Sequence, residues 1–352
     1  MATIILTGGG SAGHCTPNMA LIPYLKNDFD KIVYVGSKNG IEKEIVEKHQ
    51  LPYYSISCGK LDRKNYIKNL SMPFKVIKGI FDAGKILDKE KPCVVFSKGG
   101  FVSVPTIIAA SKRKIPVISH ESDYTVGLAN KICSKFCKKV LTSFPETAKT
   151  LSNGEFVGSP IRKTLYSAYK VDALKTFGFS GQKQIILVTG GSQGATALNS
   201  AIRQALPNLL PKFDVLHICG KNNLLQEKTP KGYFQTEYIN KMENAFAVAS
   251  LCVSRAGANT LFELMSLKIP TILIPLPKGT SRGDQVLNAE YFQRLGLAQV
   301  LPQHILTEKS LLLSINSVYA NRHNIMQNFQ KTPVKDASRQ ISRLIADIAI
   351  KH

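Results

Sequence analysis

The chain is predicted to fold as two α/β halves, each a parallel sheet with helices on its faces, and three observations predict it. Short runs rich in β-branched residues alternate with helix-length stretches throughout, which is the rhythm of βαβ units. The ten residues Ile4 to Gly13, IILTGGGSAG, recur as Ile185 to Gly194, IILVTGGSQG, with seven of ten positions identical. At 352 residues the chain also exceeds what one hydrophobic core usually serves, and the repeat divides it near the middle.

Strands are predicted at 2–7, 31–35, 53–57, 93–97, 115–119 and 139–142 in the first half. In the second half they fall at 184–189, 214–218, 233–236, 250–253, 270–274 and 297–301. Each copy of the repeat reads as strand, tight loop and helix start, with helices over Pro17 to Leu25 and Ala195 to Leu206. Glycine lets the backbone approach a ligand closely, and the unpaired N–H groups of the following helix start favour an anion. Each half is therefore expected to carry a phosphate-sized site. Gly8 to Gly13 also satisfies GxGxxG, so a dinucleotide-binding domain is a rival reading. That rival needs an acid at the tip of the second strand to hold a ribose. Here the second strand runs into Gly36-Ser37-Lys38, with no acid at its tip.

Chemistry-bearing residues cluster after the strands. His14 follows the first loop, where the positive end of a helix disfavours imidazolium and keeps the ring competent as a general base. A structural hydrogen-bonding role is the alternative. His120-Glu121 stands at the carboxyl end of the strand predicted at 115–119, where open α/β sheets place ligands. Ser254 to Glu263, SRAGANTLFE, forms another strand-to-helix turn, whose small residues 256–258 admit a ligand and whose Glu263 can accept from ribose hydroxyls or simply face solvent. Between the halves, Gly158-Ser159-Pro160 makes a hinge, and the boundary is set near 160.

The segment Tyr66 to Leu87 repeats apolar residues at helical spacing (Ile67, Leu70, Phe74, Ile77, Ile80, Phe81, Ile86) among Lys64, Lys68, Lys75, Lys78 and Lys85, with Pro73 starting or kinking a helix. Two accounts fit it: a crossover helix with a solvated lysine face, or a basic amphipathic helix lying on an anionic bilayer.

Composition narrows the function classes. A net charge of +22, spread over both halves, points to a polyanionic partner: nucleic acid, an anionic membrane or phosphorylated substrates. No nucleic-acid-binding motif is present, so nucleic acid is not expected as a partner. No run of 18 uncharged apolar residues crosses a membrane, and Met1-Ala2-Thr3 opens no signal peptide. Seven scattered cysteines, an odd number, suit a reducing compartment. Cys133 and Cys137 lie one helical turn apart, without a second pair to complete a metal site.

Six motifs occur in order: Gly9 to His14 with Pro17, Gly99 to Ser103 with Pro105, His120-Glu121 with Gly127 to Lys131, Gly190 to Gly194, Ser254 to Gly257, and Asp284-Gln285 with Asn288-Ala289. Together they resemble the MurG family of N-acetylglucosaminyltransferases, which converts lipid I into lipid II in peptidoglycan synthesis. The resemblance implies a GT-B fold: two facing Rossmann-like domains with parallel sheets and a cleft between them. Residues 1–160, joined by a returning C-terminal helix at 334–350, would bind acceptor and membrane, and 161–333 would bind the donor.

The donor implied is UDP-N-acetylglucosamine. Ser192 and Gln193 would lie at its diphosphate, Arg162 by the phosphates, Ile239 near uracil, and Gln285 on the sugar. Ala258, Asn259, Thr260, Leu261, Phe262 and Glu263 would surround the nucleotide, with Glu263 on the ribose. Ser11, Ala12, Gly13 and Asp123 are lesser donor candidates. The acceptor implied is undecaprenyl-diphosphate-linked muramyl pentapeptide, met by Gly10, Gly13, His120 and Glu121, with His14 deprotonating its C4 hydroxyl. Transfer would invert the anomeric carbon. No cofactor or metal is expected, and no Asp-x-Asp motif is present to hold one. The resemblance favours the bilayer account of 66–87 and a peripheral place on the cytoplasmic face of the membrane. Four residues depart from the family's common pattern: Ala12, Phe101, Asp123 and Asp284.

Overall fold

The structure, a computed structural model, describes residues 2–59, 70–191, 195–279, 283–332, 334 and 336–350. The chain divides into two compact units, residues 1–162 with 335–352, and residues 163–334.

In the first unit β1 (Thr3–Thr7) runs into α1 (Ala12–Leu25), followed by β2 (Lys31–Ser37), α2 (Ile41–Lys48), β3 (Tyr53–Ile56) and α3 (Met72–Glu90). Then come β4 (Val94–Ser97), α4 (Ser103–Lys112), β5 (Val117–Glu121), α5 (Leu128–Cys133), β6 (Lys139–Thr142), α6 (Pro145–Lys149) and β7 (Gly154–Phe156). Among the described residues the sheet is parallel, in the order β3-β2-β1-β4-β5-β6-β7. The order in which the strands are laid down reverses between β1 and β4, so the loops after these two parallel strands open side by side at the carboxyl end of the sheet. Alternation along β1 splits the core in two: Ile4 and Leu6 join Leu21 and Leu25 on one face, while Ile5 joins Val33, Val95 and Ile107 on the other. The edge strand β7 was not predicted, because its three residues are half-buried or exposed and show no apolar run.

Helix α3 begins with Pro73 in its first turn, where a missing N–H leaves no bond unmade. The predicted segment 66–87 therefore appears as 72–90, and residues 60–69, with Lys64, Tyr66, Ile67 and Lys68, lie outside the described residues. Its inner face buries Gly79, Ala83, Ile86 and Leu87.

The second unit repeats the plan with α7 (Lys170–Phe177), β8 (Gln184–Thr189), α8 (Thr196–Leu209), β9 (Phe213–Ile218), β10 (Tyr233–Thr236), α9 (Met242–Val248) and β11 (Ala249–Ser254). It continues through α10 (Ala258–Ser266), β12 (Thr271–Leu273), α11 (Asp284–Arg294), β13 (Ala298–Val300), α12 (Glu308–Ala320) and α13 (Arg322–Lys331). Its parallel order is β10-β9-β8-β11-β12-β13, with the switch between β8 and β11.

The chain then returns to the first unit as α14 (Ser338–Ile350), whose Ile341 and Ile345 are fully buried with Ile22 and Leu25 of α1. Asp336 anchors this return. Its carboxylate accepts from the Ile161 amide at 3.0 Å, from the Ser338 amide at 2.8 Å and from the Tyr24 hydroxyl at 3.2 Å.

Candidate active site

In the first unit, the glycine loop after β1 delivers His14 to the first turn of α1, where its imidazole is half-buried. Nδ1 lies 3.1 Å from the Lys98 carbonyl oxygen, in the loop after β4. A carbonyl can only accept, so this contact puts the hydrogen on Nδ1 and the lone pair on Nε2, the tautomer a general base needs. Gly100 underlies the ring; a Cβ there would stand 2.2 Å from the Gly9 carbonyl and 3.0 Å from His14 Cδ2.

The Lys98 side chain turns inward and is buried. Its Nζ lies 2.6 Å from His120 Nδ1 and 2.6 Å from Ser122 Oγ. Burial lowers its pKa to about 7, against the opposing pull of Glu121 and Asp123. His120 is fully buried, and its Nε2 donates to the Gly158 carbonyl at 2.9 Å. Burial, then the neighbouring Lys98, hold its pKa well below the usual range.

Two residues expected at the acceptor, His120 and Glu121, make their contacts inside the protein. Both ring nitrogens of His120 are engaged there, and the ring supports the loop from beneath. Glu121 does likewise: it is 4% exposed and accepts from the amides of Asp123 (3.0 Å) and Gly127 (2.9 Å) and from Asn130 Nδ2 (2.9 Å). Ser11 is exposed, while Ala12, Gly13 and Asp123 are half-buried.

Gly10, also expected at the acceptor, donates its amide to the Glu42 carboxylate at 3.2 Å. Glu42 belongs to the first turn of α2 and is fully buried. Its other oxygen accepts from the Ser37 amide at 3.0 Å and the Ser37 hydroxyl at 2.5 Å. An acid does therefore reach the tip of β2, where the expectation was of none: it is Glu42, five residues after Ser37. It points at the glycine loop.

In the second unit, Gly190 and Gly191 follow β8, while Ser192 and Gln193, the expected diphosphate contacts, lie outside the described residues. Gly257 caps α10, which carries Ala258 to Glu263. Asn259, Thr260 and Glu263 are half-buried at the start of this helix. Leu261 (0% exposed) and Phe262 (5%) point into the core, Phe262 packing edge-on against Phe292 with ring centroids 5.3 Å apart. Their side chains are thus core groups, and any ligand contact from them falls to the backbone. Asn288 ties the turn down by donating to the Ala256 carbonyl at 3.2 Å, and Arg255 Nη1 donates to the Ile274 carbonyl at 3.0 Å. Gln285 Oε1 accepts from the Leu276 amide at 3.1 Å, which pins the loop after β12. Ile239 is half-buried in the loop after β10, and Arg162 is half-buried at the last residue of the first unit's main segment.

A cavity of about 600 Å³ lies at the opposite end of this second sheet, lined among others by Lys170, Lys268 and Arg322. Cys133 and Cys137 are buried, and burial pushes both thiols up, that of Cys133 to about 12. Among the described residues no three His, Cys, Asp or Glu side chains converge on a point.

Residues 4–142 match the glycosyltransferase family 28 N-terminal domain, and residues 185–342 match the glycosyltransferase family 28 C-terminal domain. A Clostridium botulinum protein is 47% identical over 349 residues, covering 98% of this chain and 99% of that protein. A Clostridium perfringens protein is 49% identical over 346 residues, covering 97% of each. Both carry the name UDP-N-acetylglucosamine--N-acetylmuramyl-(pentapeptide) pyrophosphoryl-undecaprenol N-acetylglucosamine transferase. Among solved structures, Acinetobacter baumannii MurG superposes with a TM-score of 0.76 at 23% identity, covering 99% of this chain and 100% of that one. The glycotransferase of kitacinnamycin superposes at 0.73 with 13% identity, covering 98% of each, which is a likeness of fold.

Proposed function

The chain belongs to glycosyltransferase family 28, and from that membership we infer that it is the UDP-N-acetylglucosamine-dependent transferase that converts lipid I into lipid II. The observation that carries this is identity of 47–49% along nearly the whole chain to relatives named for that reaction. The sugar moves from UDP-N-acetylglucosamine to the C4 hydroxyl of undecaprenyl-diphosphate-linked N-acetylmuramyl pentapeptide.

For the chemistry we propose that His14 is the base. The Lys98 carbonyl orients its ring, and Nε2 takes the C4 hydroxyl proton as that oxygen attacks the anomeric carbon from the face opposite UDP. Inversion and a β-1,4 linkage follow from that line of attack. The acceptor belongs to the first unit, near His14 and Gly13, and the donor to the second. There the amino-terminal turn of α10, Glu263, Gln285 and Ile239 bind UDP-N-acetylglucosamine together with Ser192 and Gln193, and Arg162, at the end of the first unit's main segment, is assigned to its phosphates. Helix-start amides and Arg162 would offset the charge developing on the departing diphosphate.

Membrane contact is proposed for α3. Among the described residues no helix is long and apolar enough to cross a bilayer. Helix α3 nevertheless exposes Phe74 (75%), Ile77 (52%) and Phe81 (69%) beside Lys75, Lys78 and Lys85, a pattern suited to the anionic cytoplasmic leaflet. A turnover assay with UDP-N-acetylglucosamine tests the reading, with a soluble lipid I analogue and diacylglycerol as competing acceptors. Release of UDP with diacylglycerol alone would overturn the acceptor. His14→Ala is expected to lower turnover about 10²–10⁴-fold with acceptor affinity retained; near-normal turnover would remove His14 from the base role.

A further inference from the structure

The ladder between β4 and β5 ends at Ser97 and Ser119. One residue further on, the next pair in register is joined by side chains instead. Lys98 Nζ lies 2.6 Å from both His120 Nδ1 and Ser122 Oγ, so a single buried side chain crosses from one strand end to the other. The mooring is itself held, because His120 Nε2 donates to the Gly158 carbonyl at 2.9 Å. With its main chain the same residue meets the first glycine loop and the helix after it. The Lys98 amide donates to the Thr7 carbonyl at the end of β1 (2.9 Å), and the Lys98 carbonyl accepts from His14 Nδ1 (3.1 Å). The peptide bearing that carbonyl leads into Gly99 and Gly100, whose φ values of +82° and +83° are left-handed. Glycine permits such a peptide to rotate, and on its N–H side the plane is held by Ser97 Oγ, 3.0 Å from the Gly99 amide.

A methionine would fill much the same space with no charge to desolvate. Lysine is costly there, since burial lowers its pKa to about 7, and core packing alone does not account for it. We propose that Lys98 is a positioning residue for the transfer: by mooring the end of β4 on His120 and Ser122, its side chain fixes the carbonyl that holds His14 in the Nδ1–H tautomer. This rests on the reading of His14 as the base. A ring that lost this partner would turn and would share its proton between Nδ1 and Nε2, which leaves fewer molecules with a lone pair aimed at the acceptor hydroxyl. Lys98 is 1% exposed and acts through His14 instead of touching substrate.

The test is steady-state turnover of the full chain with UDP-N-acetylglucosamine and a soluble lipid I analogue, comparing the original, Lys98→Met, His14→Ala and the double variant. Lys98→Met is expected to lower kcat about 10–100-fold while KM for the acceptor stays within about twofold. In the His14→Ala background the same change is expected to cost less than about twofold, because the group it acts through is gone. A merely structural role would not give that pattern, since it would lower turnover by the same factor in both backgrounds. Nitrogen NMR of the labelled His14 imidazole, identified by its loss in His14→Ala, should show the Nδ1–H form in the original and a mixture of tautomers in Lys98→Met. Unchanged kcat in Lys98→Met, an equal loss in both backgrounds or an unchanged His14 tautomer would each overturn the proposal. If Lys98→Met does not fold, Ser122→Ala removes one of the two moorings and decides by the same comparison in the same two backgrounds. Near-normal turnover of His14→Ala would instead overturn the reading of His14 as the base.

Discussion

Lys98 shows how one residue can hold a site together without touching a substrate. Its carbonyl orients His14, while its side chain is buried against His120 and Ser122. Burial lowers its pKa from 10.5 to about 7, so between those values the unfolded chain binds a proton that the folded chain does not. Stability from this group therefore rises as pH climbs from about 7 towards 10, and below about 7 the whole cost of burying the charge is felt. Relative to Lys98→Met, the original chain should gain stability between pH 7 and pH 10, read from urea midpoints at several pH values. A difference that stays flat with pH would show that Lys98 does not titrate in this way. His14 was legible because it follows a glycine loop directly. Glu42 was not, because its role depends on α2 folding back over the tip of β2, and no local pattern announces that contact.

At the scale of elements, α3 has two unlike faces. Gly79 packs so tightly that a Cβ would lie 2.1 Å from the Ser57 carbonyl, so the inner face is a crossover helix docked against its own unit. The outer face carries Phe74, Ile77 and Phe81 at spacings of three and four, exposed among lysines. A solvated lysine face would not need that apolar stripe. Replacing Phe74 and Phe81 by Ser is expected to weaken binding to anionic vesicles about 100-fold, from roughly 1.5 kcal/mol or more per ring no longer buried. Added salt should weaken it further by screening the lysines. Vesicle sedimentation that is unchanged by both treatments would exclude α3 as the contact. Periodicity exposed this helix, and alternating runs exposed every strand except β7, whose three residues are ordered by pairing with β6.

At the scale of the whole molecule, the first unit is discontinuous, since it is closed by a helix made last in the chain. Ile341 and Ile345 are fully buried against α1, and Asp336 ties the return to Ile161, Ser338 and Tyr24. Ile345→Ala should cost about 2–5 kcal/mol. Its effect should be confined to the first unit, as faster hydrogen exchange in α1 and β1 with β8 and β11 unchanged. An equal effect in both units would contradict that partition.

The sequence by itself determined the two parallel-sheet units, the placing of glycine loops after β1 and β8, and the family, because alternation, helical spacing and ordered motifs are local and additive along the chain. Only the tertiary structure decided which site residues are engaged inside the protein. The engagement of Gly10 by Glu42, the burial of His120 under Lys98 and the inward turn of Leu261 and Phe262 all depend on residues distant in sequence meeting in a packed interior. There each polar group must find a partner and each apolar one must leave water, and which groups meet is settled by how the elements pack.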